Sequence, residues 1–232
     1  MLYLRFPAFK AKALTLSYDD GVQQDVQLAS ILDKAKLKAT FNLNSGLYAK
    51  PGLVYEKGTI HRRMSKAEAD ALFQVSGHEV ACHGLTHAFM TRLPDSQACY
   101  EALEDRKNLE KQFGRIIRGF AYPYGDCNAK LANTLRTMGF AYARTTVSTH
   151  SFELPQDPLL LNPTCHHNDP CLMKLAKEFL SMEVKRNAQL FYLWGHSYEA
   201  ERDDSWSLLQ GFADLVQGQD SIWYATNLQI ID

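Results

Sequence analysis

Two segments of the sequence combine carboxylates and imidazoles in an arrangement that could hold a metal ion. Asp19 and Asp20 stand side by side at the end of the apolar run ALTLSY, where a bound cation would relieve their mutual repulsion. His83 and His87 have the spacing i, i+4, which predicts that both rings lie on one face of a helical turn. Two imidazoles and one carboxylate leave coordination positions open, as in catalytic sites. We therefore predict that Asp20, His83 and His87 bind a divalent ion.

Each of these signals has a simpler explanation when it is taken alone. An Asp-Asp-Gly sequence is also typical of a surface turn whose carboxylates face water, and the histidine pair could be two loop residues. His196 follows the apolar run LFYLWG and could donate a proton near neutral pH, although it could equally be a loop histidine. The run Cys165-His166-His167-Asn168-Asp169 has no recognisable ligand spacing, so we interpret it as a loop or the rim of a site.

These candidate residues follow strands in a predicted alternation of strands and helices. Apolar β-prone runs and helical periodicity alternate along the chain, which predicts a parallel sheet, either open or closed into a barrel. In such folds the reactive side chains collect after the carboxyl ends of the strands. The predicted strands are Ala13–Tyr18, Lys38–Leu43, Glu79–Cys82, Ile117–Tyr122, Ala141–Thr145, Leu190–Trp194 and Ile222–Tyr224, and the predicted helices are Gln24–Lys36, Ser65–Phe73, Ser96–Phe113, Asn128–Met138, Pro170–Glu183 and Ser205–Val216.

The bulk composition predicts one ordinary globular domain over residues 1–232. The chain has 25 basic and 26 acidic side chains, so it lacks the positive field that attracts nucleic acid or anionic membranes, and neither is predicted as a partner. No secretory leader or membrane-spanning run is recognisable, and the five cysteines are odd in number and scattered. Reduced thiols and a cytoplasmic location are therefore expected, whereas the oligomeric state is left open.

Taken in order, the motifs resemble the polysaccharide deacetylase family, which is also known as the NodB-homology family and carbohydrate esterase family four. The resemblance covers most of the chain through TLSYDDG (residues 15–21), GHEVACHGLTH (77–87), AYPYGD (121–126) and LFYLWGH (190–196). It implies a distorted (β/α) barrel of seven or eight strands, like a TIM barrel, with the active site at the carboxyl-terminal mouth of the strands.

The resemblance also implies a role for each motif residue. Asp19 would be the general base that deprotonates an attacking water, and His196 would be the general acid that protonates the leaving group. The backbone N–H of Tyr124 would stabilise the oxyanion. Zinc is the first choice for the ion at Asp20, His83 and His87, with cobalt, nickel, manganese or iron as alternatives.

The sequence departs from the family pattern at two places. Many relatives carry an arginine beside the Pro-Tyr-Gly of the third motif, where it orients the catalytic Asp, but this chain has Ala121 there. Arg118 and Arg144 are the candidates to replace it. An Asp-Trp motif before the final histidine is also missing, and LNPTCHHND (residues 161–169) stands in that region.

The implied activity is hydrolysis of an acetyl amide or ester on a carbohydrate. Several aromatic side chains could stack on a sugar ring, and the candidates are Tyr48, Tyr124, Trp194 and Tyr198. Two alternatives are a hydrolase of cyclic amides or ureides on the same fold and a carbohydrate-binding protein without turnover. The residues do not distinguish N-acetyl from O-acetyl groups or identify the sugar.

Overall fold

A computed structural model describes residues 4–232 of the chain. Within this range the structure contains one parallel sheet of eight strands, in which β5-β4-β3-β2-β1-β7-β6 are neighbours in that order and β8 pairs with β1. The strands are β1 (Lys12–Asp19), β2 (Ala39–Leu43), β3 (Glu79–Cys82), β4 (Gly119–Ala121), β5 (Tyr142–Arg144), β6 (Cys165–His166), β7 (Gln189–Gly195) and β8 (Ile222–Tyr224).

Helices connect the strands and cover the outside of the sheet. They are α1 (Asp25–Lys34), α2 (Lys66–Phe73), α3 (Asp95–Phe113), α4 (Ala129–Thr137), α5 (Leu172–Ser181), α6 (Ser197–Arg202), α7 (Trp206–Val216) and α8 (Asn227–Ile231). Ser65 begins α2 with a capping box to Glu68, as the sequence predicts, and Gly114 ends α3 with a φ of 64°, a backbone conformation that glycine adopts without strain.

The central strands are buried along their whole length because both of their faces are covered. Every residue of β1 and β2 is buried, which is the pattern of parallel strands enclosed by helices rather than half-exposed strands. Their apolar side chains form one continuous core with the inner faces of the helices, and this core includes Leu14, Phe41 and Phe191. The sheet therefore fixes the positions of the strand ends.

The sheet curls into the distorted (β/α) barrel that the sequence analysis expects. Its ring is completed between β5 and β6 by irregular backbone, in which Arg144 pairs with Leu161 through a single parallel bridge. The backbone N–H of Thr164 then donates to the carbonyl of Tyr192 on β7 at 2.8 Å. The predicted strands are all present, whereas the short elements β6, α6 and α8 were not predicted.

The described part of the chain contains no helix that is both long enough and apolar enough to cross a bilayer. The five cysteines are free thiols, in agreement with the expectation from their number and spacing.

Candidate active site

The carboxyl ends of the strands bring the predicted residues into one cavity of about 540 Å³. Asp19 is the last residue of β1, His83 directly follows β3, and His196 directly follows β7. The cavity is lined by Asp19, Asp20, His61, Arg63, His83, His87, Tyr122, Tyr124, Thr146, Trp194, His196 and Tyr198. Residues that are far apart in sequence therefore meet because parallel strands end at one edge.

Asp20, His83 and His87 converge on one point of this cavity. His83 Nε2 and His87 Nε2 are 3.1 Å apart, and Asp20 Oδ1 lies 3.9 Å from the first nitrogen and 3.7 Å from the second. His83 Nδ1 donates to the carbonyl of Ala121 at 2.8 Å, which leaves the Nε2 lone pair directed toward the cluster. Two imidazole nitrogens and a carboxylate oxygen so close together match the donor set of a divalent metal.

Electrostatics keep these donors in the protonation states that a metal requires. Burial lowers the pKa of His83, and burial together with the neighbouring His83 lowers the pKa of His87 to about 4. Burial alone would raise the pKa of Asp20, but His61 and Arg63 outweigh it and lower the value. At neutral pH the cluster therefore consists of two neutral imidazoles and one carboxylate, and each offers a free electron pair.

The loop between His83 and His87 does not form the predicted helical turn. It contains no helix, and both Gly84 and His87 have positive φ values, 74° and 56° respectively. The rings face each other through this left-handed backbone rather than through the i, i+4 spacing of a helix. The prediction that the pair meets is correct, and the local structure predicted for it is wrong.

Asp19 lies beside the cluster and is held by two side chains, one from the adjacent strand β2 and one from β5 across the barrel. Asn42 Nδ2 donates to Asp19 Oδ1 at 2.8 Å, and Arg144 donates to Oδ2 from the end of β5. Burial alone would raise the pKa of Asp19, but the charge of Arg144, followed by His83 and His196, lowers it. Asp19 is therefore a carboxylate at neutral pH, with Oδ2 3.8 Å from His196 Nε2.

The two arginine candidates lie at opposite ends of the barrel. Arg144 is fully buried and takes the orienting position beside Asp19. Arg118 precedes β4 and forms an exposed ion pair with Asp232 at 2.8 Å. Because a residue before a parallel strand lies at the amino end of the barrel, the prediction that Arg118 orients the catalytic carboxylate is wrong.

Two cavity residues come from a segment that the sequence analysis did not single out. His61 and Arg63 lie in the long connection between β2 and α2. His61 Nε2 is 3.1 Å from Asp20 Oδ2, and Arg63 Nη2 is 3.1 Å from Asp20 Oδ1. Arg63 also donates to Asn44 Oδ1 at 2.7 Å. These contacts fix the Asp20 side chain. Asp20 itself has a positive φ of 84°.

The segment interpreted as a loop or rim contributes to the wall next to His196. Cys165 and His166 form the short strand β6, and His166 and the fully buried His167 face Glu199 of α6. Glu199 was not predicted as a site residue. Its helix has only six residues, which is too short for a periodic pattern to be recognised in the sequence.

Aromatic side chains surround the cavity. Tyr124, Trp194 and Tyr198 line it, whereas Tyr48 bonds to Gln112 through its hydroxyl at 3.0 Å, away from the cavity lining. Tyr124 has a φ of 58°, and its ring is half exposed and packs edge-on against His87 at 4.3 Å between ring centroids. The peptide of Tyr124 thus belongs to the wall next to the histidine cluster.

Comparison with protein-family models identifies one family. The polysaccharide deacetylase family model matches residues 7–143, which is more than half of the chain. Comparison with curated protein sequences finds no match. Among solved structures, a family 4 carbohydrate esterase from Streptomyces lividans is 17% identical, with a TM-score of 0.59 over 92% of this chain and 91% of that chain.

Two further structures show the same fold. A peptidoglycan deacetylase from Bacillus subtilis is 16% identical, with a TM-score of 0.54 over 95% of this chain and 90% of that one. A proposed polysaccharide deacetylase from Mycobacterium smegmatis is 17% identical, with a TM-score of 0.65 over 100% of this chain and 92% of that one. At these identities the structural likeness establishes the fold alone. The family model, which matches three of the four motif-bearing strand ends, shows that this chain belongs to the polysaccharide deacetylase family.

Proposed function

We propose that the protein is a metal-dependent hydrolase that removes acetyl groups from a carbohydrate. The observation that carries the proposal is the convergence of Asp20, His83 and His87 next to Asp19 and His196 in one cavity. Membership of the polysaccharide deacetylase family supports deacetylation as the reaction. On this proposal the same cavity would combine a metal site, a base and an acid.

Asp20, His83 and His87 would hold the ion. Zinc is the first choice because it favours neutral imidazole nitrogens combined with a carboxylate, and cobalt, nickel, manganese and iron accept the same donors. When bound, a divalent ion supplies Lewis acidity, which polarises a carbonyl oxygen and makes water more acidic.

Asp19 would act as the general base. Its carboxylate is ionised at neutral pH because Arg144 and the neighbouring imidazoles outweigh its burial and lower its pKa. The hydrogen bonds from Asn42 and Arg144 fix its orientation, so that it can accept a proton from water in the cavity without rearranging. Asp19 Oδ2 is 3.7 Å from His83 Nε2, which places the base directly beside the proposed metal ligands.

His196 would act as the general acid. Its Nε2 faces Asp19 Oδ2 at 3.8 Å, and its ring lines the same cavity. Burial alone would lower its pKa, but the carboxylate of Glu199 at 3.3 Å and the nearby carboxylates Asp19 and Asp20 raise it. A protonated His196 can then deliver its proton to the departing amine or alkoxide.

The acetylated substrate would lie between the aromatic walls of the cavity. Tyr124, Trp194 and Tyr198 present rings that can pack on a sugar, and the peptide N–H of Tyr124 is the proposed donor to the oxyanion. Structurally similar proteins include a carbohydrate esterase and a peptidoglycan deacetylase, and these names guide the choice of first substrates.

The test is acetate release from N-acetylated glycan fragments and O-acetylated xylan by zinc-loaded and chelated protein. We expect release only by the loaded protein, and a loss of at least about 10³-fold in Asp20→Ala. Asp33→Ala is the matched control because Asp33 is exposed and contacts His78, outside the cavity lining, and it should retain activity. Acetate release by Asp20→Ala without bound metal would contradict the proposal, and so would loaded protein that hydrolyses only a cyclic imide assayed in parallel.

A further inference from the structure

Glu199 lies at the centre of a cluster of imidazoles behind His196. Its Oε2 atom is 3.1 Å from His166 Nε2, 3.2 Å from His167 Nε2 and 3.3 Å from His196 Nδ1. The His167 side chain is fully buried, and only 13% of the Glu199 side chain is exposed. Within residues 4–232, the buried atoms His196 Nδ1, His167 Nε2 and Glu199 Oε2 make no hydrogen bond of good geometry, so their close approach to one another is their main polar contact. The cluster thus directs buried polar atoms at a single carboxylate oxygen.

We propose that Glu199 is the positioning residue for His196. By accepting a hydrogen bond from Nδ1–H, it fixes the imidazole tautomer and leaves Nε2 directed toward Asp19 and the cavity. The inference rests on the proposed function of His196 as the general acid. It also assigns a role to the segment at residues 161–169, whose histidines hold Glu199 in place.

Hydrogen bonds around the cluster orient His166 and hold the start of α6. The N–H of Asn168 donates to His166 Nδ1 at 3.1 Å, so the hydrogen of a neutral His166 is on Nε2 and points to Glu199. At the start of α6, Ser197 Oγ donates to the buried Asp25 Oδ1 at 2.6 Å. This bond ties the residue after His196 to α1, and Glu199 lies within the same short helix.

A second metal ion is the competing explanation for this cluster. His166, His196 and Glu199 each place one potential ligand atom within 4.8 Å of the others. A metal needs a free electron pair on each nitrogen, but His166 Nε2 carries the hydrogen because Nδ1 accepts from Asn168. The hydrogen bond that fixes the His166 tautomer therefore favours a carboxylate that accepts from this imidazole over a bound ion.

The charges around His196 indicate what Glu199 contributes. The titratable groups that face His196 are Asp19 and Asp20 at the end of β1, Glu199 and Tyr198 of α6, and the imidazoles of His166 and His167. Burial lowers the pKa of His196, and the nearby carboxylates raise it. Removing the charge of Glu199 would therefore lower the pKa of His196.

The experiment compares Glu199→Gln with Glu201→Gln in the zinc-loaded protein. Glu201 lies on the same helix but pairs with Arg62 at 2.7 Å, so it is the matched control. The ring nitrogens of His196 are followed by NMR and assigned with His196→Asn. We expect a Nδ1–H tautomer and a raised pKa in the parent and in Glu201→Gln, and a pKa lower by about one unit or more in Glu199→Gln.

Kinetics provide the second readout. In Glu199→Gln the alkaline limb of the kcat/KM profile should move to lower pH by the same amount as the NMR pKa, with KM nearly unchanged. Glu199→Asp, which keeps the charge, should restore most of the pKa shift. An unchanged tautomer and pKa of His196 in Glu199→Gln would overturn the inference, as would the loss of a second bound zinc in that variant. Because NMR needs no turnover, a parent protein that releases no acetate would refute the proposed function alone.

Discussion

The ion pair between Arg144 and Asp19 provides a quantitative test of how the site is held together. Arg144 is fully buried, donates to Asp19 and to the carbonyl of Thr145 at 3.1 Å, and packs its guanidinium over Trp194 at 4.5 Å from the ring centroid. Arg144→Met keeps much of the side-chain volume but leaves the Asp19 carboxylate buried without its cation. Removing one partner of a buried pair costs about 3–5 kcal/mol of unfolding free energy, and that is the loss expected at pH 7.

The loss should depend on pH in a defined direction. In the parent the folded-state pKa of Asp19 is lowered, so the ionised group stabilises the fold above its unfolded pKa of about 3.9, and this contribution disappears as the pH falls through the folded-state value. In Arg144→Met, burial dominates and the pKa of Asp19 rises, so the group takes up a proton in mild acid. The difference between variant and parent should therefore be largest near pH 7 and smaller near pH 4.

Urea denaturation of the metal-free proteins measures these differences. Arg136→Met is the control, because Arg136 forms an exposed pair with Asp157, and exposed pairs contribute about 0–1 kcal/mol. The double variant Asp19→Asn/Arg144→Met should recover part of the loss, because it has no unpaired buried charge. A loss below about 1 kcal/mol for Arg144→Met at pH 7, where a buried pair is expected to cost several times more, would refute the reasoning. The reasoning would also be refuted if the stability losses of Asp19→Asn and Arg144→Met simply added in the double variant.

Three further predictions concern the residues that surround the site. Burial raises the pKa of Asp25 to about 7, so its ionisation destabilises the fold as the pH rises from about 4 to 7. Asp25→Asn should be more stable than the parent at pH 8 by up to about 4 kcal/mol, and identical urea midpoints at pH 8 would contradict this. Arg118→Ala should retain full activity and lose at most about 1 kcal/mol, because its pair with Asp232 is exposed, and a tenfold loss of kcat would exclude our placement of Arg118. Gly195→Ala should lower the melting temperature because its new Cβ would lie 2.5 Å from the buried His167 ring, and an unchanged melting temperature would show that the ring can move aside.

The sequence was sufficient to predict the sheet and the order of the site residues for a physical reason. Parallel strands that are buried on both faces appear as short continuous apolar runs, and polar residues just after such runs lie at the barrel mouth. Asp20, His83 and His196 meet this criterion. Applied to the arginines, the same rule separates Arg144, the last residue of β5, from Arg118, which precedes β4.

Other features depend on contacts that no local pattern encodes. The left-handed backbone at His87 lies in a loop, where an i, i+4 spacing does not predict the local backbone conformation. His61 and Arg63 reach Asp20 from a long irregular connection, and Glu199 faces His196 only because a six-residue helix begins between them. Tertiary packing decides these positions, so they become visible only when the chain is folded.

The most direct test of the metal-dependent account is anomalous diffraction from crystals grown with zinc. We predict one strong zinc peak bonded to Asp20, His83 and His87, which disappears in crystals of Asp20→Ala. A peak held instead by His166, His196 and Glu199, or the absence of any ion from the barrel mouth at saturating zinc, would contradict the account.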